Sequence, residues 1–223
     1  WLSRHARQVL QERVAAAAEK ESPDNVPEEL VPFAKVYLAA QKMTALRSLA
    51  EVVDSSADTN ARLRALWALH VTGSLKADDA ARWVQDQDEL VRSWTVQTFF
   101  ENSSLLFKLP QFEQLADNAV EALRSLAAND KSPVVRRFVA SAAQRVPVER
   151  RWEIVTELLG HREDLGDHNL PLLYWYATEG CVASDPERAV SLLKACRIPK
   201  VREFIARRLT TAGVEVGDIT RAG

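Results

Sequence analysis

The sequence predicts an all-α protein, a right-handed superhelix of about five antiparallel helix pairs. Three observations lead there. Apolar residues recur at helical spacing along nearly the whole chain, and no run alternates with the period of two that a half-buried strand needs. Seven glycines and nine prolines among 223 residues fall well short of the roughly 12 % of average usage, too few for the turns of a sandwich, barrel or propeller. A pattern of aspartate, apolar residue and arginine also returns along the chain, as stacked repeats require.

The elements follow in order. Val9, Leu10 and Val14 share one face of a lead-in helix over residues 1–20. Pro23 and Pro27, flanking Asp24 and Asn25, break it with a polar loop over 21–29. A long helix from Val31 to Val53 ends in the Asp-Ser-Ser-Ala-Asp stretch at Asp54–Asp58. Helices are then expected at Asn60–Val71, Ala77–Gln85 and Glu89–Glu101, and, after an irregular stretch to Pro110, at Gln111–Ala128, Pro133–Arg145 and Val148–Gly160. The last three are Leu170–Val182, Pro186–Cys196 and Lys200–Thr210. Residues 1–212 read as one domain, and 213–223, which lack a hydrophobic face, as a flexible tail.

Composition sets bounds on function. A chain that is 47 % hydrophobic with a net charge of -2 can support a packed core, and its balanced charge disfavours nucleic acid as a partner. No apolar run approaches the ~20 residues of a membrane span. The chain opens at Trp1 without a signal peptide, which reads as a segment of something longer. Cys181 and Cys196 are too few for a disulfide framework; their separation permits one disulfide, and two buried thiols filling helix faces is the simpler reading.

The repeats align on Arg64, Arg92 and Arg136. An aspartate stands six residues before each, at Asp58, Asp86 and Asp130. A residue able to cap a helix stands four before, at Asn60, Asp88 and Ser132. A branched apolar residue precedes each arginine, and Leu66, Trp94 or Phe138 follows two after it. Arg202 repeats the arginine and its apolar neighbours, with Cys196 in place of the aspartate. An aspartate before a helix and an arginine one turn inside it can pair within a repeat and with the next, giving a ladder of charge-assisted hydrogen bonds. Read singly, such an aspartate is a cap and such an arginine a solvated surface residue.

The Asp/Val-Arg pattern resembles HEAT-type repeats, including the short version in phycobilisome-lyase-like proteins. Four blocks carry a closer resemblance: Trp1–Arg7, Arg64–His70, Asp167–Pro171 with Trp175-Tyr176-Ala177, and Val201–Arg208. In this order they resemble the HEAT-like middle region of large exported proteins of planctomycetes and verrucomicrobia, named as membrane-bound dehydrogenases. In that family a sorbosone-dehydrogenase-like propeller precedes the helical region and a haem-binding cytochrome c domain follows. The resemblance implies a connecting scaffold within an exported redox protein, touching neighbouring domains or another protein. Neither cysteine begins the Cys-x-x-Cys-His that covalent haem needs, so no cofactor is expected in this chain.

Catalytic motifs are absent from the sequence: there is no Gly-x-Ser-x-Gly, phosphate loop or dinucleotide glycine fingerprint. No catalytic, cofactor or metal residue is assigned. The cluster His161-Arg162-Glu163-Asp164 with Asp167-His168 contains metal-ligand types, but Gly166 breaks the helix between the histidines, and a polar inter-helix loop is the plainer reading. The paired arginines Arg136-Arg137, Arg150-Arg151 and Arg207-Arg208 are read as ladder and salt-bridge residues rather than a nucleic-acid stripe. A standalone module binding peptide or nucleic acid, and a helical enzyme of another kind, are the alternative readings.

Two segments are candidate contact surfaces. The apolar stretch 99–112, with Phe107 and Phe112, either folds back under the helices or forms a docking patch. Around residue 173, where the repeat would supply an arginine, stand Tyr174, Trp175 and Tyr176. These three consecutive aromatics point about 100° apart, so they cannot share one seam. Trp175 and Leu172 are expected inward, with the hydroxyl of Tyr174 or Tyr176 on a polar partner; both tyrosines are candidate contact residues.

Overall fold

Helix starts are set by side chains that take up the unpaired amides of the first turn. The computed structural model describes residues 44–101, 103 and 106–213, and these fold into ten α-helices with no strand among them. The expected lead-in helix, the loop at 21–29, the start of the long helix and all but the first residue of the tail lie outside the described residues. The chain divides into two compact units, Trp1–Trp83 and Val84–Gly223.

In the first unit α1 covers residues 44–55, α2 Thr59–Val71 and α3 Ala77–Trp83. Asp58 caps α2, its carboxylate accepting from the amide of Asn60 at 2.9 Å. The far end of α2 closes on Gly73, whose φ of 67° suits a residue without Cβ. There Gly73 N–H donates to the His70 carbonyl and Ser74 N–H to the Leu69 carbonyl, the paired bonds of a Schellman motif. Val53, Leu63, Leu66, Leu69, Ala80 and Trp83 are buried. Asp54 accepts from the Trp83 indole at 2.6 Å and from Arg82 at 3.0 Å, fixing α3 to the end of α1.

The second unit holds α4 (Glu89–Glu101), α5 (Glu113–Asn129), α6 (Pro133–Ala143), α7 (Val148–Leu159), α8 (Leu170–Ser184), α9 (Pro186–Ala195) and α10 (Pro199–Thr211). Short 3₁₀ turns, Pro110–Phe112 and Arg162–Gly166, precede α5 and α8. Prolines stand in the first turn of α6, α8, α9 and α10, where their missing N–H costs nothing. Ser132 caps α6, Asp185 caps α9, and Asp167 accepts from the amides of Asn169 and Leu170 at the start of α8. Asn169 occupies the N-cap position of α8 without a side-chain bond.

Contacts in this unit skip alternate helices. α4 packs on α6, α6 on α8 and α8 on α10, while α5 packs on α7 and α7 on α9; from α5 onward each helix also touches the next. Between the two rows lies one apolar core containing Val135, Val139, Ile154, Leu158, Leu170, Ala177, Leu192, Ile205 and Leu209. Phe99 and Phe100 at the end of α4 and Leu106 and Phe107 in the stretch after it pack against this core, leaving Phe112 exposed. Most of the described part of the candidate patch is therefore core lining. Cys181 and Cys196 are free and buried rather than bridged.

Candidate functional site

The repeated arginines sit one turn inside their helices. In α4 and α6 the arginine amide donates to the carbonyl of the capping residue four before it, Arg92 to Asp88 and Arg136 to Ser132. From there each guanidinium reaches back across the helix start. Arg92 donates from Nη1 to the Asp86 carbonyl at 2.6 Å and closes a two-bond grip on Asp130, Nε to Oδ2 at 2.7 Å and Nη2 to Oδ1 at 3.0 Å. Arg136 repeats the geometry one step on, donating from Nη1 to the Asp130 carbonyl at 2.7 Å and gripping Asp164 at 2.7 and 2.5 Å. Each arginine thus takes the carbonyl of the aspartate six residues before it and the carboxylate of an aspartate in the next turn. That planar two-bond pairing is what a guanidinium does best.

Sequence spacing brings Asp86, Arg92, Asp130 and Arg136 into this arrangement but misses Asp164. No arginine follows Asp164 by six residues, because its turn is 3₁₀ and α8 has none in register. The third rung is closed by Tyr174, whose hydroxyl donates to Asp164 Oδ2 at 2.5 Å. Tyr174 is fully buried, which corrects its assignment to a contact surface. It shares the inward face of α8 with Leu170, Ala177, Thr178 and Cys181. Leu172 and Trp175, expected inward, are half-buried, and the Trp175 ring packs 5.6 Å from that of Phe204. Tyr176 is 52 % exposed and Phe112 38 %, while Phe107 is half-buried against the core.

The first unit corrects the register. With Asp58 as the cap, the residue whose amide donates to the cap carbonyl is Arg62. Arg62 is half-buried, and its Nε donates to the Val53 carbonyl at 2.6 Å. Arg64 lies two residues on, exposed, with no guanidinium partner among the described residues. Asp58 and Asn60 are both cap-forming types, so residue type could not choose between the two registers. Arg202 holds the ladder position in α10, its amide donating to the Ile198 carbonyl, and its guanidinium likewise lacks a partner among the described residues.

Electrostatics follow from this placement. Burial opposes the charge of Arg136, but the bonds and charge of Asp164 outweigh it, so the proton is held more tightly than on an ordinary arginine. The hydrogen bonds Arg92 donates to Asp130 do the same for Arg92. Burial, then the bond to Asp164, pushes the Tyr174 phenol far above its usual range, so it stays a neutral donor. Burial also pushes the Cys181 thiol up to about 11 and raises Cys196, which keeps both protonated and poor nucleophiles.

Arg151 is the second buried guanidinium among the described residues, and the repeat spacing did not give its partners. It meets only backbone oxygen, donating to the carbonyls of Gln144, Val146 and Ala177. It thereby covers the carbonyl end of α6, where a cation is favoured. Gly180 leaves it room, since a Cβ there would stand 3.3 Å from Nη1.

The histidine and acid cluster does not gather as ligands. His161 is hydrogen-bonded to Glu163 and to the Ala127 carbonyl, Asp164 is taken by Arg136, and His168 is exposed. Among the described residues no three His, Cys, Asp or Glu side chains converge as a metal site requires, and no helix is long and apolar enough to cross a membrane. Shallow depressions of about 170 and 210 Å³ flank Arg188, whose guanidinium lies 4.4 Å over the Trp152 ring between α7 and α9. The chain matches no family model, no curated protein and no solved structure.

Proposed function

We propose that the chain is a non-catalytic helical-repeat scaffold, a HEAT-like solenoid of antiparallel helix pairs that holds neighbouring domains or a partner protein in place. One observation carries this reading: successive arginines grip the aspartate of the following turn in the same way, Arg92 on Asp130 and Arg136 on Asp164. Such a rung makes each repeat depend on the next, as in stacked repeat proteins. The skipping of alternate helices in the second unit supports it. The polar groups of the ladder are engaged with one another, which suits holding elements in register better than turning over a substrate. The sequence blocks noted above extend the proposal to a segment of an exported dehydrogenase that joins a propeller to a cytochrome c domain.

The test is binding and turnover with the purified chain. It is expected to be colourless, to show no dehydrogenase turnover with added quinone or nicotinamide, and to bind one of the domains encoded beside it in calorimetry. A Soret band that survives denaturation, measurable turnover, or no heat with any flanking domain overturns the reading.

A further inference from the structure

The turn that presents Asp164 begins at His161, and both ring nitrogens of His161 lie on oxygen. Nε2 is 2.6 Å from the Ala127 carbonyl in the last turn of α5, and Nδ1 is 2.7 Å from Glu163 Oε1. A carbonyl and an ionised carboxylate only accept, so both bonds form together only when the ring donates from both nitrogens. The imidazolium does that and neither neutral tautomer can. The site favours a cation, because terminal carbonyls of a helix lack helical partners and carry the negative end of its dipole. The His161 side chain is 15 % exposed, and its Nε2 bond to the Ala127 carbonyl is the sheltered one of the two, while the Glu163 end meets solvent.

Charged groups meet this ring from several sides. On its own turn stand Glu163 and Asp164, the latter held by Arg136 and the Tyr174 hydroxyl. From α6, Arg136 Nη2 comes within 3.7 Å of Glu163. On the α5 side Asp130 is already gripped by Arg92. From α7 the Leu158 carbonyl accepts the His161 amide at 3.3 Å. The Glu163 carboxyl is held below the usual carboxylate range, first by its bond with His161, then by its own backbone amide and the charge of Arg136. That keeps the acceptor ionised in neutral solution.

We propose that His161 is a proton-dependent clamp: its imidazolium ties the end of α5 to the Arg162–Gly166 turn, and loss of one ring proton releases one of the two ties and loosens the turn that delivers Asp164 to Arg136. The proposal concerns the stiffness of one rung and does not depend on the scaffold reading.

Amide hydrogen exchange on the intact chain tests it, read at Asp164 and Asp167, whose amides donate to the carbonyls of His161 and Asp164. Across the pH range in which the ring itself is seen to lose a proton, protection at these two amides, corrected for intrinsic rate, is expected to fall about tenfold. Ring ¹⁵N shifts of the same sample should show two bound protons at the acid end and one at the other. In His161→Gln, which keeps one donor without a titrating charge, the pH dependence should vanish. The clamp is overturned if the ring charge does not change at any pH at which the chain stays folded, if protection stays constant while it does, or if His161→Gln keeps the wild-type change. Should that variant fail to fold, the wild-type shifts and exchange decide between these outcomes by themselves.

Discussion

Arg92 and Arg136 grip their aspartates with the same pair of bonds, yet water reaches one guanidinium and hardly touches the other. The side chains of Arg92 and Asp130 are 16 and 5 % exposed, those of Arg136 and Asp164 2 and 4 %. Low dielectric strengthens the attraction in the second rung and raises the cost of taking both charges from water. Equal geometry therefore does not mean equal energetic consequence. In the buried rung, what matters most is how much is lost when one partner is left alone.

The largest expected effect is therefore a difference between two truncations. Arg136→Ala leaves Asp164 buried with only Tyr174 to donate to it, and should destabilise by ~3–5 kcal/mol. Arg92→Ala leaves Asp130 with the Ser132 amide, at a site where water can enter, and should cost ~1–3 kcal/mol. Urea denaturation of both variants measures the gap. Equal losses would break the comparison and show that burial does not separate the rungs.

Tyr174→Phe sharpens it, because only the second rung has a phenol. The ring and its packing remain, so the change removes one donor from a carboxylate that keeps both bonds from Arg136. A loss of ~1–2 kcal/mol is expected. Combined with Arg136→Ala, the two losses should exceed their sum, since Asp164 then has neither partner. A purely additive double variant would show that the hydroxyl does not act through Asp164.

Much of this was legible in the sequence, and the omissions have physical causes. Asp130, Arg92 and Arg136 lie on regular α-helices or the turns just before them, where a fixed separation means a fixed position. Asp164 lies in a 3₁₀ turn whose rise per residue differs, so counting in steps of an α-helical repeat passes over it. The choice of Arg64 over Arg62 failed because two cap-forming residues stand two positions apart, and only the folded backbone shows which one takes the amide. Three aromatics in a row announced a change at α8, but burial chose Tyr174 over Trp175 for the inward place, since the phenol had a carboxylate to meet. Arg151 stood out only as half of an arginine pair read as a ladder or salt-bridge residue, and its real partners escaped notice because they are carbonyls that every residue has.

A smaller effect tests how each rung is tied to the helix after it. Two residues beyond Asp130 stands Ser132, whose amide donates to Asp130 Oδ1 and whose hydroxyl accepts from Val134 and Val135 and donates to Glu89. Two beyond Asp164 stands Gly166, which has no side chain, and Asp167 caps α8 instead. Ser132→Ala should thus cost ~1 kcal/mol, the usual loss of a cap. Its effect should appear as faster amide exchange at Val134 and Val135, with the start of α8 unchanged. Faster exchange at Leu170 to the same degree would mean that the two rungs respond as one body.

The smallest expected effect is the acid limb of the second rung. Glu163 is held below the ordinary carboxylate range chiefly by His161, and it stands 3.7 Å from Arg136. A carboxyl lowered in the folded state contributes stability that is fully present above its unfolded value, and loses it as pH falls through the lower folded one. The first rung also has further carboxylates near its arginine, Glu89 and Asp86, so the Glu163 variant is what isolates the acid response of the second. The Glu163 side chain is 61 % exposed, and solvent screening limits its contribution to under ~1 kcal/mol. On lowering pH from neutrality to below about 4, wild type should lose slightly more stability than Glu163→Gln, in which this carboxyl no longer titrates. Thermal melts of the two proteins across that range measure the difference, and parallel curves would remove Glu163 from the rung.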